Sequence, residues 1–240
     1  MSIIKVRDIK KVYNKDQVPV HALNGVDLDI NEGEFTAIVG PSGSGKTTLL
    51  NVIGGLDEPT EGKVYIHDTD MFSLKERELI DFRLHHIGFV FQAYNLIPVL
   101  TAKENIAFIL QMQGRPQKEC NQRSMELLKM VGLEDKIDKR PSELSGGQQQ
   151  RVAVARALSS KPDFVLADEP TANLDSASTA NLLDMMLRLN EEENITFIFS
   201  THDQRVVDRA RRIVTLVDGR VDSDEERISN NEQVPNSRKN

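Results

Sequence analysis

A single cysteine in 240 residues, Cys120, leaves no partner for an internal disulfide, as fits a reducing compartment. Long apolar runs are missing too. No window reaches the roughly 18 to 20 uninterrupted apolar residues of a membrane-spanning helix, so direct insertion into a bilayer is not expected. Positive charge is in deficit: 30 Lys and Arg against 37 Asp and Glu give a formal net charge of −7. That balance argues against nucleic acid as a partner and against a polybasic grip on anionic lipid, because each phosphate contact needs a cation. Any membrane attachment then has to run through another protein. Met1–Arg7 alternates like a strand and lacks the charged-then-apolar layout of a signal peptide, so a cytoplasmic location is expected. No internal repeat is evident.

What is present suffices for one substantial core, or a core plus a smaller lobe, since 39% of the side chains are hydrophobic. Val20–Leu23 and Val26–Ile30 read as two short strands, with Val26, Leu28 and Ile30 alternating against Asp27 and Asp29. Phe35–Val39 is a continuous apolar run of the kind found in a parallel strand covered on both faces. Further buried-strand candidates are Ile87–Phe91, Phe164–Ala167, Ile195–Phe199 and Ile213–Val217. From Thr101 to Ser160 the pattern is helical, opened by the capping box Thr101-Ala102-Lys103-Glu104. The expected fold is therefore α/β, a mixed core with an inserted helical lobe over about 93–145, in a single domain spanning 1–222. Asp218-Gly219 reads as a hairpin turn, and the polar stretch 223–240 as a loose tail.

Gly40-Pro41-Ser42-Gly43-Ser44-Gly45-Lys46-Thr47 matches the phosphate-loop pattern, with an apolar strand before it and a helical run from Thr48 after it. Glycine torsions free the loop amides to face phosphate oxygens, and the new helix adds its positive dipole end. Lys46 supplies a charge near the outer phosphates, and the Thr47 hydroxyl is placed to ligand Mg²⁺. Phe164–Asp168 is an apolar strand ending in a carboxylate, where open α/β sheets place ligand-handling groups. Asp168 is expected to hold Mg²⁺ through water, and Glu169 to polarise the attacking water.

Leu144-Ser145-Gly146-Gly147-Gln148 resembles the signature motif of ABC transporter ATPases, and the helix it opens carries Arg151 and Arg156 as that family's does. Ser145 also suits a plain helix N-cap, and both roles can hold together. The resemblance runs from about Ile3 to Val221 and implies a phosphate-loop NTPase of ABC type, with an antiparallel β subdomain beside the core. It implies that Gly40 through Thr48 bind ATP, with Ser145, Gly146, Gly147 and Gln148 completing the site of a second copy of the chain. Gln92 resembles the glutamine that senses Mg²⁺ and the attacking water. Ala172-Asn173-Leu174-Asp175 resembles the loop that crosses the dimer interface, with Ala172 where many relatives have glycine. His202 resembles the histidine that contacts the γ-phosphate and steadies Glu169, and Tyr13 the aromatic that stacks on adenine. Catalysis then falls to Glu169, His202, Gln92 and Lys46, and Mg²⁺ to Thr47, Gln92 and Asp168.

Finer resemblance is to the lipoprotein-release and macrolide-export group, on the insertion Asn14–Val20 before Ala22-Leu23, on Phe89–Leu96 and on Leu144–Arg151. Parts of these segments are shared with antimicrobial-peptide resistance pumps and a division-associated ATPase. The group implies an ATP-dependent homodimer that drives integral membrane permease subunits from the cytoplasmic face of the inner membrane. A regulator of a membrane partner without cargo is the alternative. Ala93–Leu100 is unexpectedly apolar for a linker. Two readings stand for it: a groove that receives a short permease helix, or packing inside the helical lobe.

Overall fold

The computed structural model describes residues 1–14 and 18–227. Strand β1 (Ser2–Tyr13) pairs antiparallel with β2 (Val20–Asn31), setting Ile4 against Ile30, Val6 against Leu28 and Ile9 against Val26. The two strands expected at 20–23 and 26–30 are thus one. Gly25, at φ 87, lies between them opposite Asp8, itself at φ 44, and a Cβ on Gly25 would come to 3.0 Å from the Asp8 carboxylate. The pairing shifts register around this point, so the residues that read as a break form a bulge. On the other side of β1 run β4 (Glu61–Ile66) and the short β5 (Thr69–Asp70), giving an antiparallel sheet in the order β2-β1-β4-β5. Neither β4 nor β5 was expected, because 61–66 carries too few alternating apolar positions to stand out.

The second sheet follows β10-β9-β3-β8-β7-β6. Its parallel members are β3 (Phe35–Val39), β6 (Ile87–Val90), β7 (Phe164–Asp168), β8 (Thr196–Ser200) and β9 (Arg212–Val217). Asp218 and Gly219, both at positive φ, turn the chain into the antiparallel edge strand β10 (Arg220–Glu226). Positive φ at both central positions is the signature of the type I′ two-residue hairpin. Strand β10 carries the chain beyond the expected start of the tail at 223. Ser223, Asp224, Glu225 and Glu226 pair with β9 despite their polarity, because an edge strand has one solvated side. The remaining tail lies outside the described residues, as do three residues of the 14–20 insertion.

Period-two alternation sends successive side chains of the parallel strands to opposite faces. Phe164, Leu166 and Ile198 join a core with Leu49, Val52 and Ile53 of helix α1 (Lys46–Ile53) and the inner face of the antiparallel sheet. Val165, Ala167, Phe197 and Phe199 face the other way, onto the remaining helices. Helix α2 (Glu76–His86) leads into β6. Helices α3 (Ala102–Met112), α4 (Gln117–Met130) and α5 (Gly146–Ala157) lie between β6 and β7 with no strand among them, as the helical pattern over 101–160 predicts. The Thr101 hydroxyl accepts from the Glu104 amide and the Glu104 carboxylate accepts from the Thr101 amide, so the expected capping box opens α3. Helix α6 (Ser176–Glu193) joins β7 to β8, and α7 (Gln204–Val207) joins β8 to β9. Loops after β3, β6, β7 and β8 therefore collect at one end of the parallel sheet, where ligand groups gather in such folds.

Candidate nucleotide site

Strand β3 feeds directly into the phosphate loop. Gly40, at φ 147, passes so close to the Leu216 carbonyl that no Cβ fits there. Gly43, at φ 79, is different: nothing lies within 4 Å of where its Cβ would stand, so it borders open space. Gly45 begins α1 with no side-chain cap, which leaves the first amides of the helix free to face an anion. The Lys46 ammonium is folded back over the loop, donating to the Gly40 and Pro41 carbonyls at 2.9 Å each. Ser44 Oγ is buried without a hydrogen-bond partner. Uncapped amides, an unpartnered buried hydroxyl and a buried ammonium around an open glycine are a fitting cradle for a polyphosphate.

Across the loop, Thr47 Oγ1 donates to Asp168 Oδ1 at 2.9 Å. This joins the start of α1 to the end of β7 and places oxygen donors together, the set a hard divalent cation prefers. Glu169 then leaves the strand in the left-handed region, at φ 46, a conformation that costs a non-glycine residue about 1–3 kcal/mol. Its amide donates to the Ser200 carbonyl at 2.9 Å. Its carboxylate reaches His202 Nδ1 at 2.7 Å and receives the Thr201 hydroxyl at 3.4 Å. The Glu169 side chain is largely covered while the His202 ring stands in solvent, 75% exposed. With Nδ1–H donating to Glu169, the outer nitrogen of a neutral ring accepts; only the imidazolium donates on both sides.

Asp203 ties down the loop that carries this histidine. It takes the Arg205 guanidinium at 2.7 Å, the Arg205 amide at 2.9 Å and the Thr171 hydroxyl at 2.8 Å. Chiefly through Arg205, its carboxyl is held down at about 2. Sequence reasoning missed Asp203, Thr171 and Thr201; an Asp two residues before Arg at the start of a short helix was the available sign. Gln92 lies exposed just beyond β6, which ends at Val90 rather than Phe91. Its carbonyl accepts from Asn173 Nδ2 at 3.0 Å, tying the loop after β6 to the loop after β7.

Tyr13 is the last residue of β1, opposite Val20. Its hydroxyl donates to Asp57 at 2.5 Å, while Lys11 pairs with the other Asp57 oxygen and lies 4.9 Å from the ring centroid. Burial, then the Asp57 contact, pushes the phenol up, and the Thr48 side chain is within hydrogen-bonding reach of it. Lys11 and Asp57 are a second feature the sequence did not reveal, since Asp57 sits 44 residues from Tyr13.

Ser145 is the N-cap of α5: its hydroxyl accepts from the Gln148 amide at 3.3 Å, and the Gln148 side chain accepts from the Ser145 amide at 2.9 Å. Asp175 caps α6 in the same way, taking the Ser178 amide at 2.9 Å and hydroxyl at 2.7 Å. The two helix starts lie close, for a Cβ on Gly147 would come to 2.9 Å from Ser178 Oγ. Ser145 is exposed. Among the described residues no hydrogen bond joins 145–148 to 40–48. One chain thus carries two glycine-rich helix starts, the uncapped α1 and the Ser145-capped α5, with no hydrogen bond between them among the described residues.

A parallel sheet that ends in a phosphate loop, with a strand-end Asp-Glu pair facing that loop's threonine and a histidine, defines a phosphate-loop nucleoside triphosphatase. The chain belongs to the ABC transporter family, whose sequence pattern matches residues 23–172, and is an ATP-binding and ATP-hydrolysing transport ATPase. A solved structure of the ATP-binding cassette MJ0796, a Methanocaldococcus jannaschii protein, is described as a dimer in a post-hydrolysis state bound to ADP and Pi. It superposes with a TM-score of 0.86 at 44% identity, covering 94% of this chain and 99% of that one. The lipoprotein-releasing system ATP-binding protein LolD of Syntrophus aciditrophicus is 44% identical over 91% of this chain and 98% of its own length. The macrolide export ATP-binding/permease protein MacB of Syntrophobacter fumaroxidans is 43% identical over 98% of this chain, which spans 33% of that longer protein. Among the described residues no helix is long and apolar enough to cross a membrane.

Proposed function

We propose that two copies of this chain close over two ATP molecules and drive a membrane permease of the lipoprotein-release or macrolide-export kind from the cytoplasmic face of the inner membrane. The observation that carries the reading is the exposed Ser145 helix start, separate from the phosphate loop of its own chain. The dimeric, ADP- and Pi-bound state of MJ0796 supports it. Residues 40–48 hold the triphosphate, with Tyr13 offering its ring to adenine. Ser145 and the amides of Gly146 and Gly147 face the nucleotide of the other copy, with Gln148 closing the cap behind them, and Asp175 shapes the adjoining loop through its cap on α6. Glu169, steadied by His202 and Thr201, draws the proton from the attacking water. Thr47, Asp168 and Gln92 would hold Mg²⁺, which would supply charge neutralisation at the phosphate oxygens.

Output passes through a groove of about 440 Å³ between α2, α3 and the loop after β6, lined by Ile80, Leu84, Phe89, Ile97, Phe108 and Met112. Both readings of Ala93–Leu100 have support, for Ile97 lines the groove while Leu96 packs into the helical core. A short permease helix with an apolar face is the occupant that suits it. Glu169→Gln tests the whole scheme. It should bind ATP, lose turnover by about 10² or more, and elute as a dimer only when ATP is present. A monomer under both conditions refutes the shared site.

A further inference from the structure

Arg156, near the end of α5, is a partly buried cation whose guanidinium is pushed down by desolvation. No carboxylate lies within ion-pair distance of it among the described residues. It donates instead to two consecutive carbonyls, Nη1 to Asn95 at 2.5 Å and Nη2 to Tyr94 at 3.0 Å. Both residues are left-handed, at φ 59 for Tyr94 and φ 52 for Asn95, and neither is glycine. Adjacent residues in that region persist only where their surroundings over-determine them. A partly buried cation with no carboxylate partner, spent on two backbone oxygens, is such a constraint.

The turn it holds touches both halves of the proposed machine. On one side, Asn95, Ile97 and Arg156 line the groove between α2 and α3. On the other, the Tyr94 hydroxyl stands where it would lie 2.8 Å from a Cβ on Gly146, and it makes a long 3.4 Å contact to the Asn173 carbonyl. Asn173 in turn holds the Gln92 carbonyl at 3.0 Å. The loops of Gln92 and Asn173 and the start of α5 thus meet at one tyrosine, whose backbone is set by one arginine.

We propose that Arg156 is a positioning residue for ATP hydrolysis: by pinning the left-handed Tyr94–Asn95 turn it holds Tyr94 against Gly146 and Asn173, and so keeps Gln92 and the Ser145 helix start in the arrangement that a closed dimer needs. This rests on the two-copy reading above. Arg156→Met keeps the side-chain bulk and removes the donors. Its kcat should fall by roughly 10- to 100-fold, the scale set by a small misplacement of reacting groups, with KM for ATP little changed because residues 40–48 are untouched. Arg156→Lys, which keeps a charged donor, should recover part of the loss.

The deciding measurement is a double-mutant cycle with Tyr94→Phe on the purified full chain, with each variant's melting temperature recorded. Coupled action predicts that Tyr94→Phe slows the parent protein and adds little to Arg156→Met. Independent multiplication of the two losses, or a normal kcat per folded molecule in Arg156→Met, overturns the proposal. If Arg156→Met does not fold, the same cycle is run with Arg156→Lys. Size-exclusion chromatography of Glu169→Gln with ATP separates the two ideas. A monomer there defeats the two-copy reading itself, whereas a dimer with an uncoupled cycle defeats only the role of Arg156.

Discussion

At the scale of single residues, the loops after β6 and β7 hold three non-glycine residues in the left-handed region, Tyr94, Asn95 and Glu169. Glu169 adopts φ 46 because its side chain must turn away from the strand to meet His202, and the amide bond to Ser200 holds it there. Asp203 fixes the next loop, and its carboxyl near 2 lies below the ordinary carboxylate value of 3.8. A carboxyl depressed by folding contributes stability in full above the unfolded value and loses it as pH falls through the folded one. Melting temperatures measured from pH 5 down to pH 2 should therefore drop over about pH 4 to 2, and Asp203→Asn should flatten that drop while lowering stability at neutral pH. A parallel drop in both proteins would remove Asp203 from the account. The sequence announced the glycines and Lys46 because their spacing is itself the constraint. It was silent on Asp203, Thr201 and Asp57, whose partners are set by how loops meet.

At the scale of elements, α1 is the member on which the site depends. Eight residues make a helix about 12 Å long, with Lys46 and Thr47 at one end and Gly54 just past the other. A Cβ on Gly54 would stand 2.5 Å from the Phe89 ring and 2.9 Å from Leu166. Gly54→Ala should thus cost about 1–3 kcal/mol by overpacking and raise KM for ATP as α1 shifts off the sheet. Unchanged stability and KM would show that the helix end has room to spare. Here the sequence was informative about existence and poor about extent. The apolar runs of β3, β7, β8 and β9 were legible because strands buried on both faces need every position. The joined β2, the short β4 and β5, and the polar edge β10 were not, since their pairing is decided by neighbours far along the chain.

At the scale of the whole molecule, the chain offers an apolar groove on one flank and two glycine-rich helix starts elsewhere. Ile97→Asp, placed in the groove, should abolish co-purification with the permease expressed beside it while leaving basal ATPase activity and melting temperature near those of the parent. An intact complex would remove the groove from the coupling route. Leu96 is unsuited to this test, because it packs against the helical core and a charge there would lower stability as well. The sequence by itself determined the chemistry: a glycine-rich loop between strand and helix needs no distant partner to present its amides. Two adjacent acids ending an apolar run also announce themselves, as does a serine-glycine-glycine helix start. Only the tertiary structure decided which of these meet. Thr47 faces Asp168 across 121 residues, and Tyr94 stands against Gly146. Such contacts are set by the order of strands in the sheet and the packing of helices on it, which local sequence does not encode.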